Sequence, residues 1–297
     1  MKKFVQHQAI ILYFIAAYVI AWGTILFIFR HDGFKPFDGE SVLSGSINPN
    51  YFIVWIVMLF APAIAGISFI SITDGKMGVV QLFSSIKKWK VNFKWYALAL
   101  FVFPVVLLIL FFSFSIFSPK FYPSTMIPLG LTAGLVGGFF EEIGWTGFAL
   151  PKLQLLYRPF KAAIILGVVH TFWHLLADWW GGINFYKDLY ALHFFLWILA
   201  LTALRILIVW IFNNTGSLLL AQLTHASFTG SQLMFTPSVL NRTESIAWYL
   251  AFVIVLWVLV TAAFIAERSK KSTAAESRIK SISPLKKDVE SFHATFD

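Results

Sequence analysis

The sequence predicts an all-α fold, a polytopic bundle of about eight transmembrane helices. Composition is the first reason: of 297 residues, 59% are hydrophobic and only 12% charged, with a mean hydropathy of +0.77. A soluble core of this size has no use for so much apolar surface. Periodic length is the second, since eight apolar stretches each approach the ~20 residues needed to cross about 30 Å of hydrocarbon. Charge placement is the third. Seventeen of the 23 lysines and arginines fall in the segments that an eight-span topology puts on one side, a bias that marks the cytoplasmic face. Both termini are therefore expected in the cytoplasm.

The spans read as 9–29, 51–73, 95–117, 126–150, 161–180, 189–212, 216–235 and 246–266. The first follows Met1-Lys2-Lys3, like a signal peptide, but its apolar run is too long and His31-Asp32-Gly33-Phe34 offers no small-residue cleavage site. It is expected to be retained. Residues 1–267 form one helical domain, with a motif-bearing core at about 125–232. From 268 to 297 the chain is basic and serine-rich, which reads as a mobile cytoplasmic tail. With no cysteine, the chain has no disulfide, thiolate metal site or cysteine nucleophile. The net charge of +9 is explained by the cytoplasmic bias, and nucleic acid is not an expected partner. Membrane lipids are.

The fourth span carries Glu141 and Glu142 in the run Gly-Gly-Phe-Phe-Glu-Glu-Ile-Gly-Trp-Thr-Gly, residues 137–147. An ionisable group in hydrocarbon is costly by a few kcal/mol and is rarely present without a task. At about 100° per residue, Glu141 sits in the middle of a stripe formed by Gly130, Gly134, Gly137, Gly138 and Gly144. Such stripes mark close helix–helix approach, so Glu141 should face the bundle interior. Glu142 falls near the edge of the stripe, about 100° away, and is expected to brace the site from the side.

Histidines recur on two later spans. His170, His174 and Asp178 follow at i, i+4 and i+8 on the fifth, with Asp178 close enough to the helix end to be interfacial. On the seventh, His225 is the centre of a polar face with Gln222, Thr229 and Gln232. The sixth holds Arg205, a candidate counter-charge for a glutamate. At about 1.5 Å per residue, Glu141, His225 and His174 lie roughly 14, 14 and 20 Å from the cytoplasmic boundary, three groups on three helices in one layer.

These residues resemble the CAAX protease and bacteriocin-processing family, also called the Abi family of intramembrane endopeptidases. Its pattern is a Glu-Glu pair with an arginine after three residues, then Phe-x-x-x-His, then His-x-x-x-Asn. Here Glu141-Glu142-Ile143-Gly144-Trp145 resembles the first motif, Trp173-His174-Leu175 the second and His225-Ala226-Ser227-Phe228 the third, over roughly residues 125–232. Thr146 stands at the arginine position, Thr229 at the asparagine position and His170 at the phenylalanine position. The resemblance implies hydrolysis of a peptide bond in a membrane-associated peptide or protein. Glu141 would activate a water, Glu142 would hold the geometry, and His174 and His225 would orient the water, stabilise an oxyanion or bind a metal. Thr229 and Arg205 would orient the substrate or the oxyanion, and His170 would pack or make an outer hydrogen bond. One zinc ion on His174 and His225 and a metal-free reaction are equally open. Two other readings remain: a non-proteolytic immunity or scaffolding protein of the same fold, and a proton-coupled transporter. The oligomeric state is not legible.

Overall fold

The computed structural model describes residues 2–30, 49–122, 127–237 and 240–293, with side chains described for 7–30, 53–122, 127–237 and 240–270. Residues 31–34 and Lys35, part of the first outer loop, lie outside it. The architecture is an all-α helix bundle. The long helices α1 (Lys2–Phe29), α2 (Pro49–Thr73) and α4 (Phe93–Ser115) correspond to the first three predicted spans. Between α2 and α4 lies α3 (Gly75–Ile86), in the segment between the second and third expected spans. Its apolar positions are too few for a span. It buries Leu82 and leaves Met77, Val80 and Phe83 exposed beside exposed Lys76, a distribution suited to the membrane–water boundary.

The predicted fourth span is one rod broken in two. Helix α5 (Ile127–Gly144) passes through a π-helical turn at Trp145–Ala149 into the short α6 (Leu150–Gln154). Single π turns of this kind recur at functional sites. Helix α7 (Pro159–Tyr186) begins with proline in its first turn, where the missing N–H is no loss, and a 3-10 turn at Lys187–Leu189 leads into α8 (Tyr190–Thr215). Gly216, at φ +63°, closes α8, and the Ser217 side chain caps α9 (Leu218–Phe235) by accepting from Leu220 N at 3.3 Å. That tight connection makes α8 and α9 antiparallel neighbours, which brings Arg205 and His225 to one level. Helix α10 (Arg242–His293) continues through the residues that read as a tail. Residues Met1–Leu256 form one compact unit and Trp257–Asp297 a second.

Five segments among the described residues are long and apolar enough to cross a membrane: His7–Phe29, Ile53–Thr73, Phe93–Ser115, the α7–α8 stretch Pro159–Thr215, and Arg242–Lys270. Helices α5 and α9 are not in that set, because glutamates, glycines and hydroxyl or amide side chains dilute their apolar content. Their stability comes from each other. Helix α5 makes its most extensive packing with α9. A Cβ on Gly138 would lie 2.5 Å from Ala226 N, and one on Gly134 would lie 2.5 Å from Ala226 O, so only glycine permits this approach. On its other side α5 meets α2, where a Cβ on Gly66 would lie 2.8 Å from Gly144 Cα. Helix α1 clamps α7 with side-chain hydrogen bonds: Tyr18 OH donates to Val169 O at 2.6 Å and Trp173 Nε1 to Ala17 O at 3.3 Å. Trp22 Nε1 adds a third, to Trp173 O at 2.8 Å.

Candidate active site

The polar groups of α5, α7, α8 and α9 converge in the interior. Glu142 (0% exposed), Arg205 (0%), His170 (0%), His225 (3%) and Glu141 (4%) are all buried, and His174 is half-buried. Burying so many ionisable groups is tolerable only if they satisfy one another. They do, around Arg205. Its Nη1 donates to Glu142 Oε2 at 2.8 Å and its Nη2 to Glu142 Oε1 at 2.5 Å, a bidentate pair. Its Nε donates to His170 Nδ1 at 3.2 Å. His225 Nδ1 lies 2.7 Å from Glu142 Oε1, and the Thr146 hydroxyl donates to Glu142 Oε2.

Glu142 is thus held by an arginine, a histidine and a threonine. Glu141 is held differently. Its Oε2 is 3.0 Å from His170 Nε2 and 4.0 Å from His225 Nε2, and among the described residues no lysine or arginine is paired with it. The two adjacent carboxylates therefore divide between an anchored group and an uncompensated one. Aromatic rings close the space around them: Trp145 lies 5.1 Å from His170 and 5.7 Å from Trp173, centroid to centroid. Behind Trp145, Tyr13 of α1 packs edge-on at 5.8 Å.

The residues singled out in the sequence distribute as follows. Glu141, Glu142, Arg205 and His225 come together. Arg205 is the counter-charge of Glu142 through a bidentate ion pair, and Thr146 bonds the same carboxylate. His174 sits one turn beyond His170, with ring centroids 5.0 Å apart. Thr229 is half-buried, one turn past His225. Asp178 is half-buried at the far part of α7, accepting from Tyr190 OH at 3.0 Å and lying 3.4 Å from His193 Nε2.

His170 is the residue that sequence reasoning undervalued. The Phe-x-x-x-His motif drew attention to His174, whereas the structure puts His170 in hydrogen-bonding contact with both Glu141 and Arg205. The signal was present in the i, i+4 spacing, which places the two histidines on one flank, but helical spacing does not say which of two turns sits level with a neighbouring helix. Trp145 entered only as a letter of the first motif, and Tyr13 was missed, since aromatic residues are too common here to stand out.

For a metal, the side chains that cluster by distance are Glu141, His170 and His174, whose candidate ligand atoms lie within 4.8 Å of one another. That grouping joins the expected His174 with Glu141 and His170, while His225 Nε2 lies 4.0 Å from Glu141 Oε2. One carboxylate and two imidazoles suit zinc in kind and number.

Comparison with known proteins agrees with this geometry. Residues 123–231 match the family model described as type II CAAX prenyl endopeptidase Rce1-like. Over those residues, the chain is similar to the Rce1-like family. The matched stretch runs from the start of α5 through the first motif, both histidines of α7, Arg205 and the third motif on α9. Over 97 residues the chain is 35% identical to CAAX prenyl protease 2 of Methanococcus maripaludis. That alignment takes in 31% of this chain and 35% of the relative, so it spans about a third of the curated protein. The α1–α4 region, which supplies Tyr13 and Gly66, and the α10 helix stand outside the family match.

Proposed function

We propose that this protein is an intramembrane endopeptidase that cleaves a peptide bond in a membrane-associated, CAAX-type peptide or protein. The observation that carries the reading is the division of labour between the two glutamates. Glu142 is neutralised by Arg205 and fixed by Thr146 and His225, leaving Glu141 as the carboxylate free to accept a proton. A water beside Glu141 would give its proton to that carboxylate while its oxygen attacks the scissile carbonyl. The proton would then pass to the leaving amine as the C–N bond breaks, returning Glu141 to its carboxylate form. His225 and His174 would serve the same reaction, and Thr229, half-buried one turn along α9, would meet the substrate. The substrate class is taken from the name of the relative and from the burial of the site, since a lipidated C-terminus reaches such a site through the bilayer. The topology that fits has both termini in the cytoplasm.

A metal-assisted version is the second reading, favoured by the clustering of Glu141, His170 and His174. Those three would hold the ion, which would polarise the carbonyl and acidify a bound water. The test is cleavage of a farnesylated CAAX peptide by purified protein, with and without chelation, beside Glu141→Gln. Cleavage that survives Glu141→Gln unchanged refutes the general-base assignment. Cleavage that survives exhaustive chelation refutes the metal-assisted version.

A further inference from the structure

The hydrogen bonds around Arg205 determine where the protons sit on two buried histidines. Arginine is a donor only, so the nitrogen that accepts from Arg205 Nε must carry a lone pair. That nitrogen is His170 Nδ1, at 3.2 Å. A neutral imidazole has one donor and one acceptor, which puts the hydrogen of His170 on Nε2, directed at Glu141 Oε2 3.0 Å away. His225 is governed by the other half of the same ion pair. His225 Nδ1 lies 2.7 Å from Glu142 Oε1 and 3.4 Å from Arg205 Nη2; the shorter contact is to an ionised acceptor, and Nη2 already donates to Glu142 Oε1 at 2.5 Å, so the hydrogen of His225 belongs on Nδ1, directed at Glu142. His225 Nε2 is then left with the lone pair, on the side that lies 4.0 Å from Glu141.

We infer that the buried Glu142–Arg205 ion pair fixes His170 and His225 in opposite tautomers, so that His170 presents an N–H to Glu141 while His225 presents a lone pair. The consequence for the reaction is a sorted site. His170 acts as a positioning residue, donating to one oxygen of Glu141 and holding that carboxylate in one orientation. His225 Nε2 can accept from a water or take up a proton, but as a neutral ring it cannot donate to an oxyanion. A second consequence concerns metal. With its hydrogen on Nε2, His170 has no lone pair to offer there, which leaves Glu141 and His174 as the ligating members of the distance cluster. The arrangement resolves a difficulty in the ion pair itself. A bidentate Arg–Glu pair at 0% exposure leaves the guanidinium Nε–H and a lone pair on each carboxylate oxygen in need of partners; His170 takes the first, and His225 and Thr146 supply the other two.

The spectral part of the test is independent of any enzymatic activity, whereas the kinetic part rests on the proposed peptidase reading. Full-length protein labelled with 15N-histidine and reconstituted in lipid nanodiscs would show pyrrole-type and pyridine-type nitrogens for each ring. The expected result is His170 protonated at Nε2 and His225 at Nδ1, with His170 losing its single tautomer in Arg205→Ala. Addition of zinc alone should leave the His170 Nε2–H signal in place. Protonation of His170 at Nδ1, an unchanged tautomer in Arg205→Ala, or zinc displacing the Nε2 proton would each overturn the inference. Because Arg205→Ala removes a buried charge and can fail to fold, a second pair of variants keeps the question open to refutation. His170→Gln retains an N–H donor near the Nε2 position and His170→Phe does not. With a CAAX peptide, His170→Phe should lower kcat about 10- to 100-fold with KM little changed, the loss expected for one hydrogen bond to a charged group. His170→Gln should recover most of that loss. Equal impairment in the two variants would refute the positioning role. A wild-type protein that cleaves nothing would refute the peptidase reading and leave the spectral result to decide the tautomers.

Discussion

Helix α7 carries two His–carboxylate contacts, one at each level of the bundle, and they are not equivalent. At the inner level, His170 meets Glu141 at 3.0 Å, with both side chains almost wholly buried and a guanidinium bonded to the far side of the ring. At the other level, two turns along, Asp178 meets His193 at 3.4 Å with 21% of the aspartate side chain exposed. The second cluster is built from rings: His193 stacks on Tyr186 at 3.9 Å, and Tyr186 OH lies 3.0 Å from Ser245 Oγ. The same pair of residue types thus does two jobs. Where water reaches the carboxylate, the contact is a modest clamp between α7 and α8. Where water is excluded, Glu142 is matched by Arg205, whereas Glu141 has the imidazoles of His170 and His225 beside it and, among the described residues, no paired lysine or arginine.

Substitutions that attack this contrast should differ in size accordingly. Glu141→Gln keeps the shape and removes the base, so cleavage of a CAAX peptide should fall by about 10² to 10⁴ while the protein accumulates normally. Equal loss of protein in the membrane fraction would show a structural role instead. Arg205→Ala should be the most damaging to folding, because it strands Glu142 in a dry interior. A loss of about 3–5 kcal/mol is expected, read as a large drop in thermal stability in detergent. Gly138→Ala should come next, at about 1–3 kcal/mol, since its Cβ would meet the backbone of Ala226 rather than a movable side chain. Gly181, on α7 near Asp178, has nothing within 4 Å of a Cβ. Gly181→Ala should therefore be neutral or stabilising by about 0.5–1 kcal/mol, and destabilisation there would mean that the open end of α7 is covered in the membrane. Asp178→Asn should cost little, about 1 kcal/mol or below, with cleavage unaltered. A peptidase loss comparable to that of Glu141→Gln would merge the two clusters into one site.

The limits of the sequence are visible in the same residues. Hydropathy located the long helices because apolar length is a local property, and it missed α3 because a 12-residue amphipathic helix has no such length. It also read α5 and α9 as helices, which they are, although their apolar content falls short of the other spans. The glycine stripe foretold a close neighbour for α5 but could not name it. Only the packed structure divides the stripe, with Gly134 and Gly138 against α9 and Gly144 against α2.

The sequence by itself determined the helical bundle, the burial of Glu141 and the three motif-bearing helices, because each follows from spacing along one chain segment and from the cost of charge in hydrocarbon. Tertiary structure alone decided which glutamate Arg205 neutralises and that His170, one turn before His174, meets Glu141. It also decided which ring nitrogen of each histidine faces the site. Those outcomes depend on the relative rotation and height of α5, α7, α8 and α9, and helical periodicity fixes the face of a residue on its own helix without fixing its partner across the interface.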